Sequence, residues 1–187
     1  LAHRRQRQMC IRDSGDIASE ILKENLSTSL YLLDLNEEML LEGRKRLRKE
    51  KNIKYFIGNA EKLNFENNFF DKYTISFCLR NVTEYLLSIK EAYRVLKPGG
   101  KYCCLEFSTP KSSLVSSSYK IYKSKILPLL GEIVAKDKNA YKYLSESIDL
   151  FPSQEELSKI LRDCGFTKVK TINLFNGIVA IHTGYKL

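Results

Sequence analysis

The stretch Leu30-Tyr31-Leu32-Leu33-Asp34-Leu35 constrains the fold more than any other: it is a short, nearly continuous apolar run with one acid at its carboxyl end. A strand covered on both faces reads this way, whereas a half-solvated antiparallel strand alternates apolar and polar residues. The flanking segments supply the cover. From Gly15, residues Ile17, Ala18, Ile21 and Leu22 fall on one helical face, and the polar stretch Glu24 to Ser29 ends that helix. After the strand, a helix from about Glu37 to Glu50 sets Leu40, Gly43 and Leu47 at i, i+3 and i+7, with Arg44, Lys45, Arg48 and Lys49 toward water.

The alternation continues. Strands are predicted at Ile53–Ile57 and Tyr73–Leu79, separated by a loop from Gly58 to Asn68. Leu86, Ile89, Tyr93 and Leu96 mark a helix over 84–96, which Lys97-Pro98-Gly99-Gly100 stops with residues that do not continue it, and Lys101–Phe107 is a further strand. Ser153 and Glu156 have capping-box spacing ahead of a helix with Leu157, Ile160, Leu161 and Cys164 on its apolar face, ended by Gly165. Val169–Phe175 and Ile178–Thr183 flank Asn176-Gly177, a strong hairpin signal. Strands alternating with helices and closed by a hairpin predict a doubly wound α/β sheet with an antiparallel edge. Residues 108–150, interrupted by Pro128 and rich in tyrosine (Tyr119, Tyr122, Tyr141, Tyr143), read as a helical cap, with the insert over about 111–150.

The 187 residues are one domain's worth, and 43% apolar with 28% charged is the composition of a globular chain. The longest apolar stretches, such as Ile126 to Leu130, fall far short of the ~20 residues a bilayer span needs. Cys10, Cys78, Cys103, Cys104 and Cys164 include no C-x-x-C pair; Cys103 and Cys104 are neighbours on a strand and point to opposite faces, as small core residues of a reducing compartment do. With only His3 and His182 besides, no metal site is predicted. The formal charge is +9, of which residues 1–13 carry +3. Such an excess suits an anionic partner, nucleic acid or an acidic membrane surface, or is simply a solvated basic face. The Arg- and Gln-rich head, residues 1–13, shows neither a strand nor a helical period and is read as unrelated to the domain that follows from residue 14.

Three segments bring polar groups to the carboxyl edge of the sheet, where open α/β sheets bind ligands. Asp34 lies 19 residues after Gly15, near the ~20-residue spacing between a glycine loop and a ribose-binding acid. It reads equally well as the N-cap of the next helix. Gly58-Asn59-Ala60-Glu61 offers backbone and an amide to a flat heterocycle, or is a polar turn. Ser76 to Thr83 carries Arg80 and Asn81 out of the core; Arg80 is otherwise a surface ion-pair partner.

Those segments, Asp34 to Leu40, Gly58 to Glu61, Ile75-Ser76-Phe77-Cys78-Leu79-Arg80-Asn81-Val82-Thr83, Tyr93 to Gly100 and Leu105 to Ser108, closely resemble the UbiE family, as do Tyr141 to Ile148 and His182 to Leu187. The resemblance runs from about Gly15 to the last residue, in order and with family spacing. It implies a Rossmann-like class I methyltransferase sheet that uses S-adenosylmethionine to methylate carbon on a polyprenylated quinol of ubiquinone or menaquinone biosynthesis. Asp34 would hold the cofactor ribose, Asn59 and Ala60 would lie against the adenine, and Ser76 would also touch the cofactor; Ser14 stands where the family has a threonine before Gly-Asp. Upstream of that point the family's first strand and glycine-rich loop are replaced by the unrelated head, so both are expected to be missing. The reaction the resemblance implies needs a neighbouring phenol to ionise before its ring carbon becomes nucleophilic. Arg80 is the residue expected to stabilise that phenolate, with Asn81 orienting the ring; Glu106 is a possible base or a packing residue.

The expected setting is cytoplasmic, with peripheral docking on an anionic inner membrane or on quinone-biosynthesis proteins, and without nucleic acid. Asp34 would also suit NAD, but the missing G-x-G-x-x-G and the Lys97 to Gly100 turn argue against it; a nucleic-acid methyltransferase lacks its Asn-Pro-Pro-Tyr-like motif here; a non-catalytic scaffold in a quinone-biosynthesis assembly, or another small-molecule S-adenosylmethionine methyltransferase, is the remaining alternative.

Overall fold

In the computed structural model the residues described are 7–11, 16–24, 28–110 and 138–187. The chain begins with strand β1 (Arg7–Ile11), helix α1 (Asp16–Glu24), β2 (Ser29–Asp34), α2 (Glu37–Arg46), β3 (Ile53–Ile57) and β4 (Phe70–Ser76). It continues with α3 (Tyr85–Val95), β5 (Leu96–Phe107), α4 (Lys138–Leu150), α5 (Gln154–Asp163), β6 (Thr167–Leu174) and β7 (Val179–Tyr185). The strands form one seven-stranded sheet in the order β3-β2-β1-β4-β5-β7-β6. Pairs from β3 through β5 are parallel, and β7 runs antiparallel to both β5 and β6.

The sheet's two faces explain the apolar run at β2. Tyr31 and Leu33 join Met9, Tyr73, Ile75, Tyr102 and Cys104 under Ile89, Ala92 and Val95 of α3 and Leu157 and Leu161 of α5. Leu30 and Leu32 join Cys10 on the other face, under Ala18 and Leu22 of α1 and Leu40 and Leu47 of the α2 turn. Both faces are therefore buried, and each fully buried aliphatic side chain contributes ~1.5–3 kcal/mol. The adjacent Cys103 and Cys104 do point apart, half-buried and buried.

Three sequence expectations need correction. The first strand is present: the head supplies β1, which sits in the middle of the sheet with β2 on one side and β4 on the other. A parallel ladder is built from backbone groups that every non-proline residue carries, so a segment without an apolar period can still fill the central slot. Here Met9 and Cys10 give it two fully buried side chains. Residues 12–15, where a glycine loop would lie, are outside the described residues, as are 111–137 of the expected cap; of that cap, 138–150 is the helix α4. Second, β4 covers 70–76 rather than 73–79. Third, Lys97-Pro98-Gly99-Gly100 ends α3 but also belongs to β5, whose register against β4 jumps between Phe70 and Lys72. Gly99, at φ 79°, makes the turn that an L side chain rarely adopts. The capping box of Ser153 and Glu156 and the hairpin at Asn176-Gly177 stand as predicted.

Candidate functional site

The carboxyl ends of β2, β3, β4 and β5 lie along one edge. Asp34 ends β2 with only 8% of its surface exposed. Asn36, not Asp34, caps α2: its side chain accepts from the Glu38 N–H at 2.8 Å. Asp34 Oδ1 accepts the Asn36 N–H at 2.8 Å, which fixes the carboxylate, and the buried Oδ2 has no partner. A buried acceptor left unbonded costs ~1–3 kcal/mol, a cost that a hydroxyl donated by a ligand would remove.

Beyond β3, the Gly58 N–H bonds the Asp34 carbonyl at 3.0 Å, drawing the loop onto the end of β2. A Cβ on Gly58 would approach Leu33 Cδ1 to 3.1 Å, so a larger residue there would have to push that side chain aside by a few tenths of an ångström. Asn59 Oδ1 accepts the Glu61 N–H at 2.9 Å, and Glu61 in turn accepts from Asn59 Nδ2 at 3.2 Å and from the Glu84 N–H at 2.7 Å. The loop is thus tied to itself and to the start of α3. Leu33 to Asn36, Met39, Gly58 to Glu61, Cys78 and Asn81 to Thr83 enclose a cleft of about 310 Å³.

At the end of β4 the chain turns sharply. Phe77 adopts φ 48°, uncommon for a bulky residue, and one turn of 3-10 helix follows over Leu79–Asn81. The turned carbonyl of Phe77 accepts Arg80 Nη1 at 3.0 Å and Asn81 Nδ2 at 3.3 Å. Strain of this kind costs ~1–3 kcal/mol and gathers at functional sites. Arg80 Nη1 also donates to Glu106 Oε1 at 2.5 Å, and the pair is buried, with side-chain exposures of 8% and 2%. Arg80 lies over the Phe107 ring at 5.1 Å, and its buried Nε has no partner. Burial pushes the Glu106 carboxyl above its ordinary range, while the Arg80 charge and the Phe107 N–H pull it back. Tyr143 of α4 donates its hydroxyl to Asn81 Oδ1 at 3.2 Å.

The profile of the ubiE/COQ5 methyltransferase family matches residues 8–186. This chain belongs to that family. The match begins inside β1, seven residues before the point at which the motifs become recognisable. Among the family's relatives, a Ubiquinone/menaquinone biosynthesis C-methyltransferase UbiE of Rickettsia bellii (strain RML369-C) is 48% identical over 181 residues, covering 93% of this chain and 73% of that protein. The mitochondrial 2-methoxy-6-polyprenyl-1,4-benzoquinol methylase of Gallus gallus is 47% identical over 163 residues, covering 86% of this chain and 52% of that one. Solved structures share the fold: a Haemonchus contortus phosphoethanolamine N-methyltransferase 2 with S-adenosyl-L-methionine superposes at TM-score 0.73 with 18% identity, over 97% of this chain and about half (49%) of its own length. A possible histamine N-methyltransferase of Thermotoga maritima gives 0.67 at 22%, over 100% and 84%.

Of the residues expected at the site, Asp34, Asn59, Ala60 and Asn81 line one cleft. Ser76 is buried at the end of β4 beside it, Arg80 stands one residue outside the lining, and Ser14 is outside the described residues. The surface ion-pair alternative for Arg80 is corrected, since its partner Glu106 is buried with it. Met39, Cys78, Val82 and Thr83 also line the cleft; each lies within or beside a motif already recognised, but none has the chemistry that would single it out. The orphaned acceptor at Asp34, an apolar wall at Met39 and Val82, and the amide of Asn59 fit a nucleoside-bearing cofactor such as S-adenosylmethionine.

Proposed function

We propose that this chain binds S-adenosylmethionine in the Asp34 cleft and methylates a ring carbon of a polyprenylated benzoquinol or demethylmenaquinol in quinone biosynthesis. The observation that carries this reading is a pair of buried polar atoms without partners at one sheet edge: the acceptor Asp34 Oδ2 and the donor Arg80 Nε. Asp34 receives the ribose hydroxyls. Asn59 and Ala60 flank the adenine, and Ser76 and Ser14 complete the cofactor contacts. When bound, S-adenosylmethionine supplies an electrophilic methyl group on a sulfonium centre.

The remaining work falls to the chain's own side chains. A quinol carbon attacks only when the adjacent phenol has lost its proton. Arg80 does not take that proton, because a guanidinium stays charged. It offers a fixed donor to the oxygen that becomes negative, which in a site shielded from water is the largest kind of transition-state stabilisation. Asn81, held by Phe77 and Tyr143, orients the ring.

The polyprenyl tail places the substrate in a bilayer, and the chain's basic excess suits docking on an anionic surface, with no described helix long and apolar enough to cross it. Sedimentation with vesicles of anionic lipid, weakening steeply as salt rises, is the expected result for that docking. The reaction itself is tested with S-adenosylmethionine labelled in the methyl group, offered with demethylmenaquinol and with a polyprenyl methoxybenzoquinol. Label in the ring of either quinol is expected; cofactor binding by calorimetry without transfer to either would overturn the assignment in favour of a scaffold.

A further inference from the structure

Arg80 and Glu106 are joined more elaborately than a stabilising ion pair requires. Glu106 is the last inward-facing residue of β5, the strand next to β4, and only 1% of its surface is exposed. Its Oε1 accepts Arg80 Nη1 at 2.5 Å and the Phe107 N–H at 2.9 Å, while Oε2 takes the backbone N–H of Arg80 at 3.4 Å. The carboxylate therefore grips the same residue by its side chain and its main chain. Both oxygens of that carboxylate are engaged within the chain.

The donors of Arg80 divide accordingly. Nη1 has two hydrogens, and both are used, one on Glu106 and one on the Phe77 carbonyl. The guanidinium is planar and rigid, so fixing Nη1 at two points fixes the whole fork. What remains is the opposite edge, on which the buried Nε–H has no partner. A buried ion pair of this kind seldom stabilises a fold more than apolar residues of like volume would. What the pair does fix is the orientation of the fork beside an orphaned donor.

We infer that Glu106 is a positioning residue for the reaction: it holds Nη1 so that the Nε edge of Arg80 is presented, already oriented, to the ionised quinol oxygen. The inference rests on the role given to Arg80 above. Glu106 touches neither substrate nor cofactor, and it acts only through Arg80.

The test is a double-mutant cycle on the full chain, reading kcat and KM for the quinol and the cofactor affinity by calorimetry. Glu106→Gln keeps the shape and loses the charge that grips Nη1; kcat is expected to fall about 30–100-fold with cofactor affinity unchanged within about twofold. In an Arg80→Met background the same substitution is expected to change kcat less than about twofold, since residues acting as one unit are not additive. Glu106→Asp, which keeps the charge but retracts it, should recover part of the loss, and it carries the test if Glu106→Gln does not fold. Additive losses, or a folded Glu106 variant with full kcat, would overturn the inference while leaving Arg80 in its role. An active Arg80→Met enzyme would instead overturn the role of Arg80 itself.

Discussion

Arg80 and Arg94 each pair with a glutamate, at opposite edges of the same sheet, and they use their hydrogen bonds differently. Arg94, on the last turn of α3 where the chain re-enters β5, bonds through all three of its nitrogens. Nε reaches Glu91 Oε1 at 2.7 Å, Nη1 reaches the Phe65 carbonyl at 2.7 Å and Asn67 Oδ1 at 2.9 Å, and Nη2 reaches the Leu63 carbonyl and Glu91 Oε2 at 2.9 and 2.8 Å. A guanidinium has five N–H donors, and here all are used. They staple the loop after β3 to the helix. Nearby, Lys97 pairs with Asp71 at 2.7 Å and Lys186 donates to Asn68 and the Tyr93 carbonyl. At the other edge Arg80 is more deeply buried and yet keeps an unbonded Nε, two strands away from the unbonded Oδ2 of Asp34. The amino edge is closed by its own side chains; the carboxyl edge keeps two buried polar atoms without partners.

The same substitution at both positions breaks the comparison most directly. Lysine keeps the charge and removes the fork. Arg80→Lys should lower methyl transfer about 10²–10³-fold, the loss seen when one oriented donor is removed from a developing oxyanion. Its thermal midpoint should move little, because Glu106 keeps a cation. Arg94→Lys should do the reverse, destabilising the fold by about 1–2 kcal/mol through several lost hydrogen bonds at a partly exposed site, with kcat of the folded protein unchanged. Thermal unfolding and initial rates on the two variants decide it; a stability loss at Arg80 without a rate loss would erase the distinction.

Asp34→Asn comes next in size. Replacing the charged acceptor should weaken cofactor binding about 10–100-fold, as for a hydrogen bond to a charged group, with kcat at saturation nearly intact. Calorimetry reads the first and rates at high cofactor the second. Asn36→Ala, which removes the helix cap instead, should cost about 1 kcal/mol of stability and affect affinity only slightly.

The paired glutamates sharpen the contrast through pH. Glu91 is held below its ordinary range by the Arg94 hydrogen bonds, so its contribution is present above the unfolded carboxyl value and is lost as pH falls through the lower folded one. Burial raises Glu106, so its contribution is present below the unfolded value and is lost as pH rises through the higher folded one. The stability deficit of Glu91→Gln should therefore shrink on acidification, and that of Glu106→Gln should grow. Denaturant melts across the carboxyl range test both signs; parallel curves would mean that the two pairs have the same environment.

How much of this was legible in the sequence depends on which groups carry each feature. The apolar run of β2 and its terminal acid were readable because side chains alone specify a doubly covered strand. The cap that frees Asp34 was not, since Asp34 and Asn36 are both good caps and only geometry chooses between them. β1 escaped because its ladder is made by backbone groups, and Arg7, Gln8, Met9 and Cys10 form no periodic pattern. The turn at Phe77 escaped for the opposite reason: phenylalanine favours strands, and its positive φ goes with a carbonyl that accepts Arg80 and Asn81, contacts that residue types do not announce. The Arg94 staple has two backbone carbonyls among its acceptors, which leave no trace in residue types.

Tyr143 tests where the boundary of the open edge lies. It is 56% exposed on α4, and its hydroxyl reaches Asn81, a residue of the cleft. Asn81 Nδ2 is committed to the Phe77 carbonyl at 3.3 Å, so the hydroxyl fixes the other end of the amide and with it the direction of the remaining N–H. An exposed hydrogen bond of this type contributes about 0.5–1 kcal/mol, so Tyr143→Phe should raise KM for the quinol about two- to fivefold, leaving cofactor affinity and the thermal midpoint alone. A KM that does not move would assign Tyr143 to the surface, and the substrate side of the cleft would then end at Asn81 rather than extend to α4.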